Sequence, residues 1–140
     1  MKENIKPLLY TQDLILVKHI KKGNCIIAGK DFHKDDIILE SPVILFPVNK
    51  HSKKIDNMVR YCYYWDEEKK YYAITTSISV YINHSSNPNT GIHRDTENLF
   101  EILFASVDIK KGEELTIDYL KLDFNEKLGF KEIESIFYNI

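Results

Sequence analysis

The sequence predicts a mainly β, single-domain protein, and three observations predict it. Runs rich in β-branched and aromatic residues recur along the chain, each ended by Gly, Asn, Asp, Ser or Pro, residue types that favour turns over ladder pairing. One strand–turn–strand pattern occurs twice: Ala28-x-x-Asp31-Phe32-x-Lys34-Asp35-Asp36-x-Ile38 has the spacing of Ala105-x-x-Asp108-Ile109-x-Lys111-Gly112-Glu113-x-Leu115. Helical periodicity is confined to the C-terminus, through Phe130, Ile133, Phe137 and Ile140. At 140 residues, 44% apolar and 29% charged, the chain has the size and composition of one ordered domain over 1–140 with a single core.

Taken in order, residues 1–12 carry no pattern and read as a tail or an added edge strand. Leu14 to Ile20 is a predicted strand, Lys21 to Asn24 a turn and Cys25 to Ala28 a second strand. Ile37 to Phe46 is β-branched and apolar. Pro42, which has no N–H, is expected to confine its middle to a bulge or an edge. Residues 49–57 are polar and loop-like. Tyr61 to Trp65 and Tyr71 to Ile74 flank the charged turn Asp66 to Lys70, an aromatic hairpin with Tyr61, Tyr63 and Trp65 on one face and Cys62 and Tyr64 on the other. Leu99 to Val107 is a further buried strand. Residues 121–140 form a C-flanking segment ending in a short amphipathic helix that covers the core. In the repeated pattern Asp35 stands where Gly112 stands, and both types tolerate the left-handed turn conformation. Two related halves follow.

A net charge of -2 lacks the Lys and Arg excess on which direct nucleic-acid binding runs. The apolar start is broken by Gln12 and Asp13 and is too short for a signal or a membrane span, so no membrane association is expected. Cys25 and Cys62 make no disulfide framework and suit a reducing compartment. A cytoplasmic or nuclear location follows, with export into a host left open. Asn83-His84-Ser85 also fits a glycosylation sequon, a coincidence without a secretory signal.

Two stretches concentrate chemistry. Tyr81-Ile82-Asn83-His84-Ser85-Ser86-Asn87-Pro88-Asn89 passes abruptly from apolar to small polar turn formers, and its Asn side chains can satisfy non-repetitive backbone. Gly112-Glu113-Glu114-Leu115-Thr116-Ile117-Asp118-Tyr119 reads as a turn, a short strand and one phenol. Together they resemble the SET-domain signature of protein lysine methyltransferases, Asn-His-Ser-x-x-Pro-Asn followed by Gly-Glu-Glu-Leu-x-x-Asp-Tyr, and the resemblance extends from about Leu14 to Asp123. It implies the β-clip-like SET fold with a knot-like C-terminal crossing, S-adenosylmethionine (SAM) as cofactor, and a lysine in a histone or another protein as substrate. In economy the chain looks like the minimal SET proteins of viruses and bacteria, with few residues between Val48 and Arg60, where larger members carry a substrate-shaping insert.

Methyl transfer to an amine needs a deprotonated nucleophile, in-line alignment and a dry site. Free lysine has a pKa near ~10.4, so an apolar, aromatic channel beside a sulfonium must disfavour its ammonium. A fixed phenol can then hydrogen-bond the amine and accept weak C–H···O contacts from the methyl group. The resemblance assigns that phenol to Tyr119, and cofactor contacts to Asn83, His84 and the Gly23-Asn24-Cys25 turn, which replaces the family's Gly-x-Gly. Tyr61 resembles a further cofactor-side tyrosine. Ile117 stands where many members place a Phe or Tyr that limits the number of methyl groups added, and Ser41 where many have a Tyr. No metal is expected, because His84 has no Cys or His partner at ligand spacing. A SET-like module that binds SAM or a peptide without turnover is the alternative, and a homodimer is one way to cover surplus aromatic surface.

Overall fold

The computed structural model describes residues 13–19, 21, 23–48 and 61–124. Among the described residues nine strands, a 3-10 turn and one short α-helix follow in chain order: β1 (Leu14–His19), β2 (Gly23–Ala28), β3 (Ile37–Pro47), β4 (Tyr63–Tyr64), β5 (Tyr71–Thr75), the 3-10 turn (Ile78–Tyr81), β6 (Asn83–His84), β7 (Thr90–Asp95), β8 (Phe100–Ala105), β9 (Thr116–Ile117) and α1 (Tyr119–Leu122). They form a β1–β2 hairpin, a five-stranded sheet ordered β4-β5-β3-β8-β7, and a two-stranded parallel pair, β6 with β9. The expected C-terminal helix and the segments 1–12 and 49–60 lie outside the described residues.

The two copies of the repeated pattern interlock reciprocally. Phe32 and Ile109 exchange backbone hydrogen bonds at 2.8 Å in both directions. The Lys34 N–H donates to the Asp108 carboxylate, and the Lys111 N–H donates to the Asp31 carboxylate, each at 2.8 Å. Asp35 N–H donates to the Ala105 carbonyl and Gly112 N–H to the Ala28 carbonyl. Asp35 and Gly112 take the left-handed conformation, with φ of 73° and 91°. Each half therefore satisfies the turn of the other, and the apolar positions of both meet in one core that includes Ile26, Phe32, Leu103, Ile109 and Leu115. A smaller cluster of Val43, Tyr63, Trp65 and Ala73 lies under the aromatic hairpin.

Pro42 departs from expectation. It lies neither on an edge nor in a bulge; the register shift in β3 falls between Ile37 and Leu39. Pro42 closes the pairing with β8, opposite Phe100, and Val43 opens the pairing with β5, opposite Thr75. A residue with no N–H is tolerated where one ladder hands over to another. Its carbonyl accepts from the N–H and the hydroxyl of Thr76. The aromatic hairpin forms, with the Asp66 carboxylate accepting from the Lys70 and Tyr71 amides across the turn. The predicted alternation holds only over Tyr63–Trp65. Cys62 is buried on the other side of a break at which Tyr61 turns outward, 47% exposed.

Candidate active site

The parallel pairing of β6 with β9 sets Asn83 opposite Thr116 and His84 opposite Ile117, which joins the two motif stretches side by side. Asn89 welds the join. Its side-chain oxygen accepts from Thr116 N–H at 2.8 Å and its amide nitrogen donates to the Glu114 carbonyl at 2.8 Å. Thr90 Oγ1 donates to the Thr116 carbonyl at 2.7 Å, and Ser85 N–H to the Ile117 carbonyl at 3.0 Å. The polar turn formers thus satisfy a short, irregular stretch that no extended ladder could serve.

Tyr119 opens α1 rather than ending a strand, because Asp118 caps the turn by accepting from Leu120 N–H. Its hydroxyl donates to the Ile82 carbonyl at 2.6 Å, and its own N–H donates to Nδ1 of His84 at 3.0 Å. The two rings lie 5.2 Å apart between centroids. A ring nitrogen that accepts an amide proton must hold a lone pair, so the neutral imidazole carries its proton on Nε2. Burial lowers the pKa of His84 and the nearby Asp118 carboxylate only partly opposes this. His84 is therefore an uncharged strut between the two motifs.

Asn83 reaches the third predicted component. Its amide nitrogen donates to Glu114 Oε2 at 2.9 Å and to the Asn24 carbonyl at 3.4 Å, bringing the start of β2 beside β6; Gly23 and Asn24, expected in the turn, already pair with His19 and Lys18 of β1. Gly23 has a φ of 74°, the left-handed backbone that suits glycine. Cys25 is buried, so the side chain that replaces the second glycine points into the core. Ile117 is buried and lines a cleft of about 410 Å³ together with Thr90, Ile92, Arg94, Phe104, Lys121 and other residues. Tyr61 is not brought in: no hydrogen bond or ring contact among the described residues ties it to this cluster. Among those residues no group of His, Cys, Asp and Glu could hold a metal.

Sequence reasoning missed a buried polar network behind the site. Ser41 is fully buried and donates to Ser77 Oγ at 2.7 Å; Ser77 bonds Ser79 at 2.7 Å, and Ser79 donates to Glu101 Oε2 at 2.9 Å. Burial raises the pKa of Glu101 against the pull of the Ser79, Tyr63 and Thr75 hydroxyls and of Arg94. Ser41 is thus committed to the interior. The signal for it was four polar residues in otherwise apolar strands and turns, scattered too widely to read as one cluster.

Residues 23–120 match the SET domain family model. The chain belongs to the SET-domain family. The SET domain is 31% identical over 113 residues to N-lysine methyltransferase KMT5A-B of Xenopus laevis, covering 71% of this chain and 34% of that protein. It is 30% identical over 126 residues to the histone-lysine N-methyltransferase trr of Drosophila melanogaster, covering 84% of this chain and 5% of that one. The chain thus spans about a third of the length of the first of these relatives and a small part of the second. Among solved structures, CpSET8 from Cryptosporidium superposes with a TM-score of 0.58 at 30% identity, over 76% of this chain and 56% of that one. A Plasmodium falciparum chain superposes at 0.59 and 24% identity, over 76% and 92%, a likeness of fold. No helix among the described residues is long and apolar enough to cross a membrane.

Proposed function

We infer that this protein transfers methyl groups from SAM to the side-chain nitrogen of a lysine in a protein substrate, with a nuclear or cytoplasmic site of action. The observation that carries the reading is the Tyr119 hydroxyl, fixed on the Ile82 carbonyl one residue before the Asn83–His84 pair. The surrounding residues fit the cofactor. Asn24 and Asn83 offer amide and carbonyl groups, Gly23 leaves open space above the turn, and the charged side chain on Asn83 is the Glu114 carboxylate, which suits a ligand bearing two positive centres. When bound, SAM supplies an electrophilic methyl group on a sulfonium.

The protein's own contribution is position and dryness. Asn83 and the Gly23–Cys25 start of β2 orient the cofactor, and the Tyr119 phenol aligns the incoming amine. That amine arrives as an ammonium and must release its proton to solvent before attack, which an apolar wall such as Ile117 favours. No residue in the cluster is required as a strong base. Ile117 cannot hydrogen-bond a water beside the amine, so room remains for a second and third methyl group.

The test is transfer of tritium from labelled SAM to histones and ribosomal proteins, followed by mass spectrometry of the labelled lysine. Wild type is expected to add more than one methyl group, and Tyr119→Phe to lose at least about tenfold in kcat. Calorimetric binding of SAM without transfer to any substrate would instead favour a non-catalytic module.

A further inference from the structure

The helical turn that carries Tyr119 has two attachments. The front one lies within the motifs: Asp118 caps the turn and His84 receives the Tyr119 amide. The rear one lies outside them. Arg94, on β7, donates through one terminal nitrogen to the Leu122 carbonyl at 2.5 Å and to the Tyr64 carbonyl at 3.1 Å. Its guanidinium sits over the rings of Phe124, at 4.6 Å, and Tyr63, at 5.3 Å. Three elements that share no backbone ladder therefore meet on one side chain: β7, the aromatic hairpin and the end of α1.

The chemistry suits an arginine specifically. Burial disfavours the guanidinium, while Tyr63, Asp123 and Glu101, the last directly opposite on β8, favour it. Nε is buried without an acceptor, so the two carbonyls at the outer nitrogen compensate its desolvation. Asp123, next after α1, completes the bridge by accepting from Tyr64 N–H at 2.8 Å. The two rings hold the guanidinium plane, and so fix its terminal nitrogen at both carbonyls; an ammonium has donors enough for both but no plane for the rings to hold. Arg94 also lines the cleft that Ile117 lines.

We propose that Arg94 is a positioning residue for the transfer step: by bridging the Leu122 and Tyr64 carbonyls it holds the Tyr119 turn in the orientation that faces the phenol to the reacting amine. This rests on the methyltransferase reading. It assigns the phenol's alignment to a residue outside both motifs, and it makes the aromatic hairpin part of the support of the active site.

The experiment uses the full chain as wild type, Arg94→Met, Arg94→Lys, and the remote core variant Ile109→Val as a stability control. Steady-state kinetics are taken with SAM and whichever histone or ribosomal protein wild type labels most strongly. The expected result is a kcat for Arg94→Met lower by about tenfold to a hundredfold, with both KM values changed less than about threefold. Arg94→Lys is expected to recover part of the loss, and Ile109→Val to keep kcat at a similar melting temperature. In parallel, NMR is expected to show faster exchange of the Tyr119 amide in Arg94→Met and a His84 titration closer to the ordinary histidine value. A kcat loss no larger than that of a control of equal stability, or a Tyr119 amide and a His84 titration unmoved by the substitution, overturns the proposal. If wild type transfers to nothing, the functional reading fails, and the NMR comparison still decides whether Arg94 positions the turn.

Discussion

His84 joins the two motifs through a neutral ring, and that neutrality sets a pH limit. The unfolded state takes up its proton near the ordinary value of ~6.5, whereas the folded state, with Nδ1 occupied by the Tyr119 amide, takes it up only at lower pH. Between the two values the unfolded chain binds more protons, so this contribution to stability is present above about pH 6.5 and is lost as pH falls. Urea unfolding followed from pH 8 to pH 5 should show a midpoint that declines through this window, and His84→Gln should flatten the decline. The residues of this join were legible in the sequence because Asn, Ser, Pro and Gly stood at fixed offsets in two stretches. The partners were less so. That His84 would serve the Tyr119 amide and Asn83 the Asn24 carbonyl depends on strands meeting from distant parts of the chain, and no local pattern encodes it. Tyr61 shows the opposite failure. Strand alternation placed it with Tyr63, but β4 begins two residues later and leaves Tyr61 exposed.

At the scale of elements, the repeated pattern was visible as spacing, and the structure gives its meaning as a reciprocal exchange of turn hydrogen bonds. The exchange predicts an asymmetry. Asp35 and Gly112 occupy equivalent left-handed positions, but only Gly112 is free of the steric cost of a Cβ there. Asp35→Gly is expected to stabilise the protein by up to about 1 kcal/mol, and Gly112→Asp to destabilise it by about 1 kcal/mol. Thermal unfolding of the two single variants checks both signs, and equal shifts in one direction would show that the halves are not equivalent. β7 was not legible. Thr90-Gly91-Ile92-His93-Arg94-Asp95 has one large apolar residue, and its strand conformation comes from pairing along its whole length with β8. The handover at Pro42 was hidden for a related reason: proline excludes a ladder bond, but which neighbour takes over is set by the sheet.

Over the whole molecule, charge is buried where the C-terminal turn meets the hairpin. Burial pushes the Asp123 carboxyl up to about 6, against the pull of the Tyr64 amide, Arg94 and Lys69. An unfolded aspartate titrates near ~3.9, so between these values the folded state holds more protons, and stability from this group falls as pH rises through about 6. This trend opposes that of His84. Asp123→Asn keeps an acceptor for Tyr64 N–H without a charge, so it should gain on wild type between pH 4 and pH 7, whereas Asp123→Ala should be weaker at every pH. Differential scanning calorimetry across that range separates the two. The reciprocal halves also constrain how the molecule is made. Lys34 finds its carboxylate at Asp108, 74 residues further on, and Lys111 finds its own at Asp31, 80 residues back. During synthesis the first half must therefore leave the ribosome with its turn amides solvated and its apolar edge uncovered until the second arrives. The nascent chain cannot mature piecemeal, and a translational pause before Leu115 would expose it to chaperones and proteases at its most vulnerable length.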